Sequence, residues 1–217
     1  MAVILRKLLS SKWTKGAVFL VSSIPFVLLS WGLLRGELGI NPVETLQHTT
    51  GDWTLRFLIF TLAITPLRKT FNVPELIRYR RMLGLFAFFY VVLHFLTYLG
   101  PDQSFNLSGM WDDVAKRKFV TVGFAAFVLL IPLAATSTAG MIRRLGGKRW
   151  QALHRLIYIC AILGVIHYYW LVKSDVRKPL FYGALVGILL LWRVRDTYFR
   201  GKGTAPAPVK TGVSATT

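Results

Sequence analysis

Six apolar runs divide the chain, at about 16–34, 53–67, 82–99, 119–139, 151–172 and 179–192, and short polar or basic stretches separate them. A bilayer crossing needs roughly 20 predominantly apolar residues in a helix. The pattern therefore predicts an all-α membrane protein, a six-transmembrane helical bundle. The runs at 53–67 and 179–192 are short, so their helices are expected to borrow flanking long side chains that snorkel to the interface. Between the runs, RGELGINPVETLQHTTGDW and GPDQSFNLSGMWDDVAKRK read as connecting loops. The bundle is expected to occupy residues 16–200, with a basic tail at 1–15. The stretch GKGTAPAPVKTGVSATT after Arg200 is small and polar, as a disordered tail is.

Charge orients the bundle. Of the 27 Lys and Arg residues, 19 fall in the N-terminal tail, the loops after the second and fourth runs, and the C-terminal end. The positive-inside rule places these segments, and both termini, in the cytoplasm. The other two loops then face outward, with Trp111 placed like an interfacial aromatic, and lipid is the first partner. A net charge of +18 also suits a nucleic-acid binder, but that function needs a basic patch on a soluble face. Here 54% of the residues are apolar and the charge sits between the apolar runs, which excludes it. No small-x-small cleavage site follows Leu34, so the first run is read as a span and not a signal peptide. The single cysteine, Cys160, rules out a disulfide framework or a thiolate metal cluster.

Three of four histidines lie in apolar runs: His94 in YVVLHFLTYL, and His154 and His167 in RWQALHRLIYICAILGVIHYYW. Polar side chains at membrane depth are costly and point to function. In an alternating topology, His94 and His167 come at similar outer depths on two helices of the same direction. His154 lies about 20 Å below His167 at 1.5 Å per residue. No Asp, Glu or Cys within the runs completes a zinc site or facial triad beside them. Two imidazoles across an apolar bundle suit a six-coordinate haem, with Arg80, Arg81, Arg149 and Arg155 placed to meet its propionates at the cytoplasmic interface. Thirteen residues leave His154 and His167 about 140° apart on an ideal helix. An irregularity is therefore expected between them, with Gly164 a candidate. Arg80, fourteen residues before His94, falls on nearly the same face as His94, at the inner level of His154. His48 is read as a solvated loop histidine.

The six runs, His94 on the third, LHRLIY with His154, and His167 thirteen residues later resemble the ferric-reductase-like transmembrane domain superfamily. The segments TPLRK, RYRRMLGL, TSTAGMIRRLGGKRWQALHRLIY and HYYW resemble, within it, the haem-binding membrane subunits of bacterial periplasmic methionine sulfoxide reductase systems. The resemblance spans about residues 10–200. It implies an inner-membrane cytochrome b that passes electrons from the quinone pool, or from a reduced flavin, to MsrP, a periplasmic molybdenum-cofactor reductase on which the sulfoxide chemistry takes place. It implies haem b, one or two, on His94, His154 and His167, and FMN, for which no motif marks a site. A cytoplasmic flavin reductase is a further implied partner. Larger superfamily members carry a second histidine on the third span; the corresponding inner position here is Arg80 or a neighbour. Two arrangements stay open: one haem at the outer level, or a second held by His154 with an unusual or absent opposite ligand, Arg80 being an inner-site or propionate contact. Two other functions fit the residues less well, a quinol-oxidising cytochrome b anchor of a different oxidoreductase and a small histidine-relay transporter. Trp111, Asp112 and Asp113 are expected at the contact with a redox partner.

Overall fold

The computed structural model describes the backbone of residues 2–201 and the side chains of 6–199. The tail expected at 201–217 lies, apart from Gly201, outside the described residues. The described residues form helices and no strand. They are α1 (Ala2–Ser10), α2 (Lys12–Arg35), α3 (Pro42–Thr70), α4 (Ile77–Thr97), α5 (Leu107–Lys116), α6 (Lys118–Ala135), α7 (Ala139–Leu145), α8 (Gly147–Leu153), α9 (Leu156–Leu171) and α10 (Arg177–Gly201). One 3-10 turn, Pro74–Leu76, leads into α4, and one π turn, Tyr98–Asp102, continues it.

The helix ends follow from local chemistry. Ser11, Asn41, Asn106 and Thr138 each accept a hydrogen bond from a backbone N–H in the first turn of the next helix. Pro42 adds a preset φ at the start of α3. Gly36 ends α2 in the left-handed region, φ 67°, where a Cβ is unfavourable.

Four segments are long and apolar enough to cross a membrane: Lys12–Arg35, Pro74–Asp102, Lys118–Ala135 and Gly147–Leu171. The helices over the second and sixth runs, α3 and α10, are equally long but carry charged ends. The outward faces are apolar as well as the interior, as suits helices in contact with lipid. Thr50, Thr54, Thr61 and Thr65 of α3 are buried, whereas Leu20, Val21, Leu28 and Trp31 of α2 and Leu180, Phe181 and Leu191 of α10 are exposed. Three of those threonine hydroxyls donate to the carbonyl four residues earlier, so they need no partner from outside.

The centre is the α3–α4 pair, where Phe57 stacks on Phe86 and Tyr90 at 5.4 and 5.3 Å between ring centroids. The α6–α9 pair packs beside it, and α10 closes on α3 and α9. Tyr90, fully buried, joins α2 to this centre: its hydroxyl accepts from Phe26 N–H and donates to the Ser22 carbonyl, each at 3.0 Å.

Three expectations change. The first loop expected to face outward is short, because α3 starts at Pro42, and His48 therefore stands on a helix. The second holds a surface helix, α5, whose Met110 is buried while Trp111 stays exposed. The break between the two histidines of the fifth run falls at His154–Arg155, where α8 ends and α9 begins, and not at Gly164, which lies inside α9.

Candidate functional site

His94, near the end of α4, and His167, near the end of α9, come together on the wall of one cavity. Their ring centroids are 6.1 Å apart and the ring planes nearly perpendicular, at 82°. The cavity measures about 340 Å³ and is lined chiefly by apolar side chains, among them Leu55, Leu58, Val91, Phe95, Phe127 and Leu130.

Hydrogen bonds fix the tautomer of both rings. His94 Nδ1 lies 3.0 Å from the Gln47 carbonyl of α3, and His167 Nδ1 lies 2.7 Å from the Phe119 carbonyl of α6. A carbonyl can only accept, so each Nδ1 carries the proton and donates. In the neutral ring that leaves the lone pair on Nε2, which has no hydrogen-bond partner among the described residues. This is the arrangement of metal-ligating histidines, in which the second nitrogen is anchored to set ring orientation and basicity.

Two glycines seat the rings. A Cβ at Gly123 of α6 would stand 2.6 Å from His167 Nδ1, and one at Gly51 of α3 would stand 3.2 Å from His94 Cε1. Each helix can approach its histidine only because these positions lack a side chain. Gly123 is the one glycine in its run, which signals a close approach but not to what.

His154 is not part of this cavity. It ends α8, stacked on Trp150 at 3.9 Å, with Nε2 3.1 Å from the Thr136 hydroxyl. That hydroxyl donates to the Pro132 carbonyl at 2.6 Å, so it accepts from His154 Nε2–H. The nitrogen left open on His94 and His167 is thus occupied on His154. Arg80 lies within electrostatic range of His154. Arg80, Arg81, Arg149 and Arg155 do not line the His94–His167 cavity. His48 is half exposed, 3.7 Å from Glu44, at the cavity rim.

At the cavity mouth, Asp113 accepts from the Tyr98 hydroxyl and from Gln103 Nε2, at 3.0 and 2.9 Å, and pairs with Arg117 Nε at 3.0 Å. Trp111 packs edge-on against Phe124, 5.6 Å between centroids, and Asp112 pairs with Lys116 at the surface. Of the three residues expected at a partner contact, Trp111 and Asp112 are exposed and Asp113 is committed within the fold.

Residues 50–165 match the family model of the ferric reductase like transmembrane component. Over 182 residues the chain is 56% identical to the protein-methionine-sulfoxide reductase heme-binding subunit MsrQ of Herminiimonas arsenicoxydans, covering 83% of this chain and 84% of that one. The chain belongs to the MsrQ family. The MsrQ subunits of Rhodospirillum rubrum and Caulobacter vibrioides are each 48% identical to it over 192 and 190 residues, covering 88% of this chain and 92% and 89% of theirs. Membership of MsrQ, within the ferric-reductase-like family, agrees with the apolar helices in making this a membrane protein.

Proposed function

We propose that the chain is the haem-binding, electron-transferring membrane subunit of a methionine sulfoxide reductase system. It is a six-span cytochrome b of the bacterial inner membrane with both termini in the cytoplasm. The observation that carries this reading is the His94–His167 pair, with both Nδ1–H groups tied to carbonyls and both Nε2 atoms left as open ligands. The names of the relatives support the cofactor and the system.

The residues present fit a haem: two preset imidazoles, two glycines that admit them, and an apolar lining that keeps water from the iron. When bound there, haem supplies a one-electron carrier whose potential depends on its axial ligands and on the local dielectric. The chain's own part is to hold the rings, anchor their outer nitrogens and exclude side reactions. α3, with 29 residues, reaches about 44 Å at 1.5 Å per residue, enough to cross with wet ends despite its charges. Electrons reach the site from quinol or from a reduced flavin and leave outward to MsrP; a cytoplasmic flavin reductase and bound FMN belong to the donor side.

A second reading has two haems, the inner one held by His154, the third histidine of the apolar runs. His154 would then exchange its Thr136 bond for iron. Haem-to-protein ratio and reduced-minus-oxidised spectra of single variants test both. His94→Ala and His167→Ala are expected to lose the same haem. A His154→Ala protein with unchanged stoichiometry leaves one haem, and loss of half the signal establishes two. A wild type that takes up no haem when haem is supplied sinks the function.

A further inference from the structure

Resting on that haem reading, the mouth of the cavity poses a further question. Haem carries two anionic propionates, and an apolar cavity cannot take them without a cation. The arginines of the basic inner stretches do not reach it. Among the described residues, Arg117 is the one permanent cation lining the cavity, alongside the carboxylates of Asp52 and Asp102. Asp52 has its own counterion, Arg56, at 3.8 Å.

Arg117, its side chain 56% exposed, is paired at this mouth with Asp113, four residues earlier. Its Nε lies 3.0 Å from Asp113 Oδ1 as an ion pair, and its two terminal nitrogens have no hydrogen-bond partner among the described residues. Asp113 is in turn fixed by Tyr98, four residues after His94, and by Gln103, and its side chain is only 15% exposed. Arg117 itself stands two residues before Phe119, whose carbonyl anchors His167. The group that orients the cation is therefore tied to the helix that carries one imidazole, and the cation precedes the residue that holds the other.

We propose that Arg117 anchors the propionates of the bound haem at the outer mouth through its free terminal nitrogens, and that Asp113 is the residue that positions it. A guanidinium with Nε occupied still presents a two-pronged edge that matches a carboxylate. The Asp113 carboxylate draws that edge toward the mouth although the Arg117 side chain is half exposed.

The test uses the full-length holoprotein in detergent and compares haem b with haem b dimethyl ester, which lacks the anionic carboxylates. The readouts are the first-order rate of haem loss to excess apomyoglobin and the midpoint potential. Wild type is expected to release the ester roughly tenfold faster than haem, as for loss of one charged hydrogen-bonded pair. Arg117→Gln should release haem about as fast as wild type releases the ester, with no further penalty for the ester. Arg117→Lys should recover part of the retention, and Asp113→Asn should lie between wild type and Arg117→Gln. Equal retention of haem and ester by wild type overturns the proposal without any variant. So does an Arg117→Gln protein that loses the ester faster than wild type does, which would mark a purely structural role. If wild type takes up neither tetrapyrrole, the haem reading falls first and this proposal with it.

Discussion

At the scale of single residues, the site divides into side chains that announce themselves and backbone groups that do not. A histidine in an apolar run stands out because burying it is costly, and so His94, His154 and His167 are legible in the order of residues alone. The carbonyls of Gln47 and Phe119, which decide which nitrogen of each ring is free, carry no sequence signature; they matter only because α3 and α6 happen to pass those rings. The glycine seats lie between these cases, and they give a graded prediction. Gly123→Ala places a Cβ 2.6 Å from His167 Nδ1, closer than any real contact, so the ring must move and the Phe119 bond must break. Gly51→Ala meets His94 at 3.2 Å, which a small shift can absorb. Gly187→Ala meets nothing within 4 Å. Haem content per protein should therefore fall in the order Gly187→Ala, Gly51→Ala, Gly123→Ala, with the first equal to wild type. A reversed order for the last two would show that the rings are not seated on these helices.

At the scale of elements, hydropathy locates the centres of the helices and misses their ends. It registers the bilayer core, whereas a helix continues wherever caps and propensity allow. Thus the run at 53–67 becomes a helix from Pro42, capped by Asn41 and started by proline. The misplaced irregularity in the fifth run has a related cause: Gly164 has the permissive residue type, but the turn at His154–Arg155 is set by the Thr136 clasp of Trp150 and His154, a tertiary contact. The splice of Tyr90 into α2 is equally hidden. Beside Pro25, which has no N–H for the ladder of α2, the tyrosine hydroxyl accepts from Phe26 N–H and donates to the Ser22 carbonyl. Tyr90→Phe keeps the ring stack on Phe57 but leaves both backbone groups without that partner, at roughly 1–3 kcal/mol for each that stays unsatisfied. We expect a lower melting temperature for the purified variant and an unchanged haem spectrum, since Tyr90 is not part of the cavity lining. A melting temperature equal to that of wild type would mean that α2 closes its own ladder and is held to α4 by apolar packing alone.

At the scale of the whole molecule, the exposed apolar residues of α2 and α10 and the buried threonines of α3 describe a bundle turned toward lipid. The alternation of faces is a further claim, resting on the positions of Lys and Arg. It matters for the proposed function, in which the cavity with His94 and His167 opens toward the sulfoxide-reducing partner at the mouth that Asp113 and Arg117 mark. The single cysteine allows a direct test, since Cys160 is fully buried and adds little background. Leu107→Cys lies on α5 at the mouth, Asp175→Cys lies between α9 and α10, and Gly147→Cys lies at the start of α8, where a Cβ meets open space. In intact cells a membrane-impermeant maleimide should label Leu107→Cys and Asp175→Cys. Gly147→Cys should react only after the membrane is permeabilised. Gly147 lies between α6 and α9 in the chain, so labelling of the two flanking positions but not of Gly147 requires both helices to cross. Labelling of Gly147→Cys from outside would invert the proposed bundle and turn the cavity mouth toward the cytoplasm, against the proposed outward delivery of electrons.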